Sequence, residues 1–597
     1  MGDDKQGQAG RYAYRRHADA SAAAPVRHPV VVVGAGPVGL TAALDLARRG
    51  VPVVLIDEDD KLSVGSRAIC FAKRTLEVWD RLGVGQRMLD KGVSWQVGRI
   101  FLGEQEVWRF DLLPEPGHQR PAFINLQQYH AEEYLVQACL AEPLLDLRWQ
   151  SRVIGVTQQA DGALLQVQTP DGAYSLQADW VLACDGSRSP MRGLLGQQSS
   201  GRTFRDRFLI ADIRMQAPFP PERWFWFDPP FHPGQSVLLH RQPDDTWRVD
   251  FQLGWDADPK EAVKPENVEP LLRALLGADT EFELVWVSVY TFACERMAAF
   301  RHGRVIFAGD SAHRVSPFGA RGANSGVQDA DNLAWKLQRV IRGTSPARLL
   351  DSYTHEREAA ADENIRHSSR STDFISPKSE ISLLFRNTVL KLAREHAFAR
   401  TLVNSGRLSA PTTYHASPLN TPDGEPFAGT AMPGACAPDA PVTVQGDPGW
   451  WLRQLDGQFV LAVFVAAGQP LEGGWLDGLR ALNAEPDGAR VLLVWQRGDT
   501  RAETADGAAG GPAAGAGGPA ADAGGSTAQA AASAAGLPGV IDTDGLLARR
   551  YDMQDGGAYL IRPDQHIAAR WRAPSLPAVR AALARAACTA EETVCLS

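Results

Sequence analysis

An apolar run that ends in a glycine-rich turn lies near the N-terminus, where residues 30–39 read VVVVGAGPVG. Gly34, Gly36 and Gly39 have the spacing in which the first glycine permits a tight turn, the second lets a pyrophosphate approach the backbone and the third lets a helix pack on the strand. A second apolar run ends in Asp57. This order predicts the βαβ start of a parallel sheet that binds a dinucleotide, with Asp57 on a ribose; a turn that only packs helix on strand is the alternative.

Length, charge and cysteine content exclude several functional classes. The 597 residues are enough for several domains, and 61 basic against 70 acidic residues give a net charge of −9. Such a chain has no general basic surface for nucleic acid. Seven cysteines without metal-type pairing predict no metal site and a reduced, cytoplasmic setting, and neither an export signal nor a membrane helix is predicted.

Changes in composition and periodicity along the chain predict a series of domains. They are a flexible arm at 1–28, a nucleotide-binding domain at 29–200 and 285–365, an inserted antiparallel sheet at 201–284, a helical segment at 366–410, a linker at 411–440 and a small α/β domain at 441–597. Within the last domain, residues 502–536 are mostly Ala and Gly. Because this composition buries too little apolar surface to offset ordering entropy, it predicts a disordered loop.

Two further segments carry a resemblance to a known family. Residues 185–192 read DGSRSPMR, residues 304–313 read RVIFAGDSAH, and Pro317 and the sequence GAN at 322–324 follow. Together with the glycine-rich turn, and in this order, they resemble the FAD-dependent aromatic hydroxylases, the single-component flavoprotein monooxygenases of the phenol hydroxylase and para-hydroxybenzoate hydroxylase type. The likeness covers residues 29–410, and residues 440–597 resemble the thioredoxin-like C-terminal domain of the phenol hydroxylase branch.

The resemblance implies an α/β fold, with a Rossmann-like FAD-binding domain, an inserted antiparallel substrate sheet, a helical segment and a C-terminal thioredoxin-like α/β domain. It also implies an enzyme that uses NAD(P)H and O2 to hydroxylate a phenolic or other electron-rich aromatic compound through a flavin C4a-hydroperoxide. A related flavoprotein epoxidase or reductase with a non-aromatic substrate is one alternative, and a non-enzymatic flavin-binding regulator is another. The expected partners are the aromatic substrate, O2 and NAD(P)H, with no nucleic acid and no membrane.

The family's pattern also assigns the residues that hold FAD. Carried over position by position, they are Gly34, Gly36, Gly39, Asp57, Arg67, Gln128, Asp185, Asp310, Gly322, Ala323 and Asn324. The first four would hold the ADP half, the next two the flavin phosphate and ribityl groups, and the backbone of the last three the pyrimidine carbonyls. Asp185 would also support the transient binding of NAD(P)H, and Asp310 would accept hydrogen bonds from the ribityl chain. Helix capping is the alternative for both aspartates.

Two short segments set this chain apart from that pattern. The family usually reads PFGGQGMN where residues 317–324 here read PFGARGAN, so Ala320 lacks the backbone freedom of glycine and Arg321 brings a cation to the flavin. The analogy is therefore weaker for the movement of flavin between buried and exposed positions. Residues 224–229 read WFWFDP, close to the WxWxIP of tryptophan halogenases, but their place in the inserted sheet favours pocket or core aromatics.

The strand at 247–253 supplies candidate catalytic residues. Period-two alternation puts apolar side chains on one face and Arg248, Asp250 and Gln252 on the other. In the resembling family this sheet faces the substrate, so Arg248 would stabilise the reduced flavin and Asp250 would accept a hydrogen bond from a substrate phenol. A half-exposed strand with solvated charges is the alternative. The catalytic candidates are Arg248, Asp250 and Pro317, followed by His232, His240 and Tyr290.

The C-terminal domain lacks the chemistry of a thioredoxin. A redox-active thioredoxin needs Cys-x-x-Cys after its first strand, and no such pair occurs here. Cys588 and Cys595 are interpreted as ordinary thiols near the chain end. This domain is expected to be structural or to form a homodimer contact.

Overall fold

Segments far apart in the sequence come together in two units. The computed structural model describes residues 11–65, 67–217, 219–403, 408–466, 471–496 and 535–590. The first unit spans residues 1–114, 120–341 and 353–411, and the second spans residues 115–119, 342–352 and 412–597. All but the last two residues of the predicted disordered loop at 502–536 lie outside the described residues, as does Cys595.

A mostly parallel sheet forms the nucleotide-binding part of the first unit. Its strands are β1 (Val26–Val33), β2 (Val53–Ile56), β8 (Leu145–Arg148), β9 (Arg152–Gln159), β10 (Gly162–Thr169), β11 (Gly172–Ala183), β17 (Arg301–His302) and β18 (Val305–Phe307). The order is β17-β18-β11-β1-β2-β8, and β10 pairs antiparallel with β11 while β9 pairs antiparallel with β10. Helix α1 (Pro37–Arg48) connects β1 to the parallel strand β2, so the predicted βαβ start is present.

A second eight-stranded sheet, here called the inserted sheet, completes the strand framework of this unit. It comprises β5 (Val97–Leu102), β6 (Gln105–Asp111), β12 (Ser199–Arg214), β13 (Arg223–Phe227), β14 (Ser236–Arg241), β15 (Thr246–Leu253), β16 (Glu283–Met297) and β19 (His313–Arg314), in the order β19-β16-β12-β15-β14-β13-β5-β6. The predicted range 201–284 contains β13, β14, β15 and most of β12, but it omits β19, nearly all of β16, and the strands β5 and β6. The strands β5 and β6 join the sheet because β5 pairs in parallel with β13, a long-range pairing that local periodicity does not encode.

Helices and a small sheet pack around these two sheets. The helices are α2 (Lys73–Arg81), α3 (Gly85–Lys91), α4 (Gln128–Leu140), α5 (Pro190–Leu194), α6 (Pro259–Ala262), α7 (Pro265–Leu276), α8 (Gly322–Ile341), α9 (Asp351–Ile375), α10 (Glu380–Ala393) and α11 (Ala397–Leu402). The small sheet is β3 (Cys70–Ala72), β7 (Phe123–Asn125) and β4 (Val93–Trp95). The predicted boundary at 365/366 falls inside α9, which runs on without a break. No helix in the described ranges combines the length and apolar character needed to cross a bilayer.

The second unit is built on a seven-stranded mixed sheet. Its elements are β20 (Pro441–Val444), β21 (Asp447–Trp450), β22 (Val460–Val465), α12 (Gly473–Ala484), β23 (Arg490–Gln496), β24 (Gly539–Asp542), α13 (Leu546–Tyr551), β25 (Gly557–Ile561), β26 (Ile567–Trp571) and α14 (Leu576–Ala586). The central strands β24, β23 and β22 run parallel, whereas β25 and β26 are antiparallel. The predicted separate α/β region is therefore present, and its thioredoxin-like classification stays a prediction.

A buried polar cluster lies at the turn between β25 and β26. The Asp564 carboxylate accepts from the Arg562 guanidinium at 3.0 and 2.5 Å, and both side chains are fully buried. His566 Nδ1 lies 3.0 Å from the Asp564 carbonyl, and its Nε2 lies 3.2 Å from Sγ of Cys436. Tyr414 stacks on the His566 ring at 4.7 Å. These groups tie the segment before β20 to the sheet.

Candidate active site

The glycine-rich turn has the shape that a dinucleotide requires. Gly34 has φ +103°, and a Cβ there would lie 2.5 Å from the Cys184 carbonyl oxygen; a Cβ on Gly39 would lie 1.9 Å from the Gly34 carbonyl oxygen. Gly36 has nothing within 4 Å of such a Cβ. The outer glycines therefore permit close packing, while Gly36 leaves the N-terminus of α1 open to an anion, where helix N–H groups lack intrahelical acceptors.

Asp57 lies at the end of β2, beside this turn. Its carboxylate accepts from the N–H of Ala35 at 2.5 Å and from the N–H of Asp59 at 2.8 Å. Burial raises the pKa of Asp57 to about 6, although both hydrogen bonds act to lower it. The structure thus fixes the carboxylate next to the turn, and its contact with ribose stays a prediction.

A loop leading to β3 is attached to α4 by polar contacts. Gln128, the first residue of α4, accepts from the N–H of Ala68 at 3.1 Å and donates to Glu132 at 2.8 Å. Glu132 in turn accepts from the N–H and the hydroxyl of Ser63 at 2.8 and 2.7 Å. Arg67 is exposed on the same loop. Gln128 therefore holds the segment that presents Arg67, and Glu132 is a supporting residue that the sequence reasoning left without a role.

Asp185 makes the capping contacts that were the alternative to a flavin role. Its carboxylate accepts from the Ser189 hydroxyl at 2.7 Å and from the N–H of Met191 at 2.8 Å, at the start of α5. Arg192 of the same helix donates to the carbonyl of Ser311 at 2.8 Å. This hydrogen bond connects the segment of Asp185 and Gly186 to the segment that carries Asp310.

Asp310 differs sharply from its buried neighbour Asp329. Asp310 is exposed, and its carboxylate has no hydrogen-bond or ion-pair partner within the described residues. Asp329, on α8, is completely buried and accepts from His313 at 2.7 Å, from Arg357 at 2.6 Å and from the N–H of Gly309 at 2.8 Å. Asp329 therefore shapes the turn around Asp310 and leaves the Asp310 carboxylate available to a hydroxyl-bearing ligand.

The N-terminus of α8 supplies the backbone donors that were predicted to meet flavin. The first helical hydrogen bond runs from the N–H of Ser325 to the carbonyl of Arg321, so the N–H groups of Gly322, Ala323 and Asn324 precede it. The Asn324 side chain is fully used by the protein. Its oxygen accepts from Ala72 and Thr75, and its nitrogen donates to Cys70 and Ala320. Only the backbone of Asn324 is left for a cofactor.

Pro317 begins the turn that precedes this helix. Its carbonyl accepts from the N–H of Ala320 at 3.1 Å, and the proline itself is exposed. Ala320 adopts φ +53°, the left-handed conformation that glycine takes without strain. Arg321 is buried and donates to Asn364 of α9 at 3.0 Å. The turn thus keeps a glycine-like backbone although the chain carries alanine there.

Two of the three polar side chains of β15 are buried and the third is partly buried, which differs from the alternative of a strand with solvated charges. Arg248 is 4% exposed and Gln252 7%, and the side chain of Asp250 is 18% exposed. The Arg248 guanidinium lies 3.2 Å from the Asp250 carboxylate and donates to the carbonyl of Arg67 at 3.1 Å. Burial raises the pKa of Asp250, while Arg248 acts to lower it. His240, which pairs with Arg248 across the sheet, has its pKa well below the usual value because of burial and the two neighbouring arginines, Arg223 and Arg248.

A cavity opens between the inserted sheet and α9. Most of its lining is aromatic or aliphatic and includes Ile100, Phe110, Phe225, Phe227, Phe318, Phe374 and Ile375. Phe318 and Gly319, in the turn before α8, form one wall of this cavity. The described residues contain no group of ligating side chains suited to a metal ion. The arrangement is an apolar chamber next to a charged sheet face, which suits a flat aromatic molecule.

Residues 27–368 match the family described as "FAD binding domain". The chain belongs to this family. The "3-(3-hydroxy-phenyl)propionate/3-hydroxycinnamic acid hydroxylase" of Mycolicibacterium smegmatis is 29% identical over 386 residues, 65% of this chain and 68% of that protein. The Rhodococcus jostii protein named "Probable NADH-specific resorcinol 4-hydroxylase" is 32% identical over 333 residues, 55% of this chain and 62% of that protein.

A solved structure extends the fold comparison to nearly the whole chain. The flavin-dependent monooxygenase PieE, in complex with FAD and substrate, aligns with a TM-score of 0.75 at 22% identity and covers 95% of this chain and 100% of its own. This likeness shows the fold. The family match and the hydroxylase relatives confirm the predicted FAD-dependent flavoprotein monooxygenase of the aromatic hydroxylase type.

Proposed function

We propose that this enzyme hydroxylates a phenolic ring in the cavity between the inserted sheet and α9, with NAD(P)H as the electron donor and O2 as the oxidant. The observation that carries the proposal is the continuity of that aromatic cavity with the turn before α8, through Phe318 and Gly319. The helix N-terminus that follows offers three backbone donors for a flavin ring. Substrate and cofactor would therefore meet at this turn.

The described residues fit FAD along the whole path from β1 to α8. The glycine turn and Asp57 would hold the ADP half, Asp310 would accept from the ribityl hydroxyls, and the N–H groups at the start of α8 would face the pyrimidine carbonyls. When bound, FAD supplies the hydride acceptance and oxygen chemistry that no amino-acid side chain provides. The protein orients the ring and excludes water from it.

Asp250 and Arg248 are proposed to act on the substrate side. Because burial raises the pKa of Asp250, its carboxylate is a better proton acceptor than an exposed one. Asp250 would accept a hydrogen bond from the substrate hydroxyl and increase electron density on the ring. Arg248, 3.2 Å away, would hold the carboxylate in place and add positive charge near reduced flavin.

The test combines cofactor content, product and coupling. Purified protein should carry non-covalent FAD, and a phenol panel should stimulate NAD(P)H oxidation with a product heavier by one oxygen atom. Asp250→Asn should keep FAD and be reduced by NAD(P)H, yet release most of the reducing equivalents as hydrogen peroxide. Asp373→Asn, which changes a half-exposed surface carboxylate paired with Arg202, is the matched control. Full coupling in Asp250→Asn across pH would contradict the assigned role.

A further inference from the structure

One wall of the aromatic cavity carries a buried positive charge. The odd-numbered residues of β13 line the cavity: Arg223, Phe225 and Phe227. They alternate along the strand with Trp224 and Trp226, which lie on its other face. Arg223 is 8% exposed. A guanidinium therefore stands among phenylalanine rings in a place where an apolar side chain would be expected.

Within the described residues, the Arg223 guanidinium has no hydrogen-bond or ion-pair partner. Other arginines around the cavity are engaged. Arg99 contacts Glu222 at 2.5 Å and Glu106 at 3.0 Å, and Arg386 donates to the carbonyl of Ile375 and to Asn387. A buried charge without a partner is costly, and proteins retain it where a ligand completes it. Of the two arginines that line the cavity, Arg223 is the one without such a partner in the part of the chain that the structure describes.

The surroundings of Arg223 do not neutralise it. Burial lowers the pKa of Arg223. Burial and the positive charges of Arg223 and Arg248 hold the pKa of His240 well below its usual value, so His240 is neutral. Burial raises the pKa of the Cys70 thiol to about 11, which keeps it uncharged. Asp250 is the nearby carboxylate, and its charge acts to raise the pKa of Arg223, but its ion pair, at 3.2 Å, is with Arg248. The cavity wall therefore keeps a positive charge for an incoming group.

We propose that Arg223 binds a carboxylate carried on the aromatic substrate, so that the enzyme prefers phenolic acids to uncharged phenols. The planar guanidinium fork matches a carboxylate in a bidentate geometry, and the apolar walls strengthen the attraction by excluding water. Phe225 and Phe227, on the same strand face, would hold the ring that carries this group. The inference rests on the proposed function, because it names the substrate class of the same cavity.

The experiment compares matched acid and neutral phenols that differ only in the charged group, such as 3-(3-hydroxyphenyl)propionate against 3-propylphenol and 4-hydroxybenzoate against 4-methylphenol. FAD-loaded enzyme is titrated with each, and binding is followed by the flavin absorbance change, alongside KM and kcat. Wild-type enzyme should bind at least one acid more tightly than its neutral partner. Arg223→Met should reduce that preference by roughly ten-fold or more, mainly through KM. Arg223→Lys should restore part of it.

A second measurement separates ligand binding from a structural role. Arg223→Met removes an unpaired buried charge, so the melting temperature of the ligand-free holoenzyme should rise, whereas a structural arginine would lower it when replaced. Arg202→Met, on the same sheet but half exposed and paired with Asp373, is the matched control and should change neither quantity. Equal binding of acid and neutral partners by wild type, or failure of every acid to bind to FAD-loaded enzyme, would overturn the inference. Hydroxylated product from neutral phenols would then still support the proposed function.

Discussion

The candidate active site of the first unit and the buried cluster at the turn between β25 and β26 of the second unit treat charged side chains in opposite ways. In the first unit, Asp310 and Arg223 point into accessible or cavity-lined space without a protein partner among the described residues. In the second unit, Arg562, Asp564 and His566 are buried and contact one another. Buried polar groups in proteins are usually paired, and an unpaired one indicates that a ligand supplies its partner. The contrast therefore separates groups that bind a ligand from groups that stabilise the fold.

The largest expected effect comes from breaking the paired cluster. Asp564→Asn keeps the shape of the side chain but removes the charge that faces Arg562, so the free energy of unfolding of the second unit should fall by about 3–5 kcal/mol. Urea denaturation followed by tryptophan fluorescence measures it. The exposed pair Arg580–Glu485 serves as the control, since Glu485→Gln should leave the midpoint unchanged. An unchanged midpoint in Asp564→Asn would abolish the contrast between the units.

The same cluster predicts a pH dependence of stability. Burial lowers the pKa of His566, but Cys436 and Asp564 outweigh it and raise the pKa to about 9. A histidine with a raised pKa contributes its full stabilisation at a pH below its ordinary pKa of about 6.5. This contribution to the free energy of unfolding, about 3 kcal/mol, is lost as the pH rises through 9. Unfolding titrations at pH 6 and pH 9.5 measure the loss. His566→Gln should flatten the profile, and a profile that keeps the same slope would show another group to be responsible.

Asp310, the unpaired carboxylate of the first unit, should affect FAD binding and not the stability of the protein. Asp310→Ala should leave the stability of the FAD-free protein nearly unchanged but weaken FAD binding by roughly ten- to hundred-fold, the cost of leaving ligand hydroxyls without an acceptor. Equilibrium dialysis with FAD measures it. Asp329→Asn is the contrasting variant, because Asp329 is buried and paired and its loss should destabilise the protein itself. If Asp310→Ala bound FAD normally, accessible unpaired charge would not mark the cofactor site.

The smallest effect concerns backbone conformation at the proposed flavin turn. Ala320 holds φ +53°, which costs an alanine about 1–2 kcal/mol, whereas glycine adopts it freely but loses more entropy on folding. Ala320→Gly should therefore stabilise the first unit by up to about 1 kcal/mol. Gly319→Ala, at φ +111°, should do the opposite. Differential scanning calorimetry of the two variants compares them, and a loss of stability in Ala320→Gly would show that the turn is not strained.

Local patterns in the sequence were enough to predict the βαβ start and the two faces of β15. The glycine spacing at Gly34 and Gly39 demands close packing that the structure shows directly, and period-two alternation correctly grouped Arg248, Asp250 and Gln252. Both features depend only on neighbours in the chain. The roles of these residues toward FAD and substrate stay predictions.

Residues that act through long-range contacts could not be found in this way. Asp329 is one of several polar residues in α8, and only the fold brings it against His313 and Arg357. Pairing of β5 with β13 joins residues more than a hundred positions apart. Arg223 does leave a signal in the sequence, because it is a charged residue in phase with the apolar residues Phe225 and Phe227. The aromatic run around it is equally typical of a strand in an apolar core.

The position of β1 in the middle of its sheet bears on how the protein is made. Val31 of β1 pairs with Val54 on one side and with Val181 on the other, so the second partner lies 181 − 31 = 150 residues later in the chain. At roughly 5–20 residues per second, the ribosome takes about 8–30 s to supply that partner. During this interval β1 has an open apolar edge, which chaperones would have to shield. Expression at low temperature, with slower aggregation of nascent chains, should therefore improve the yield of folded protein.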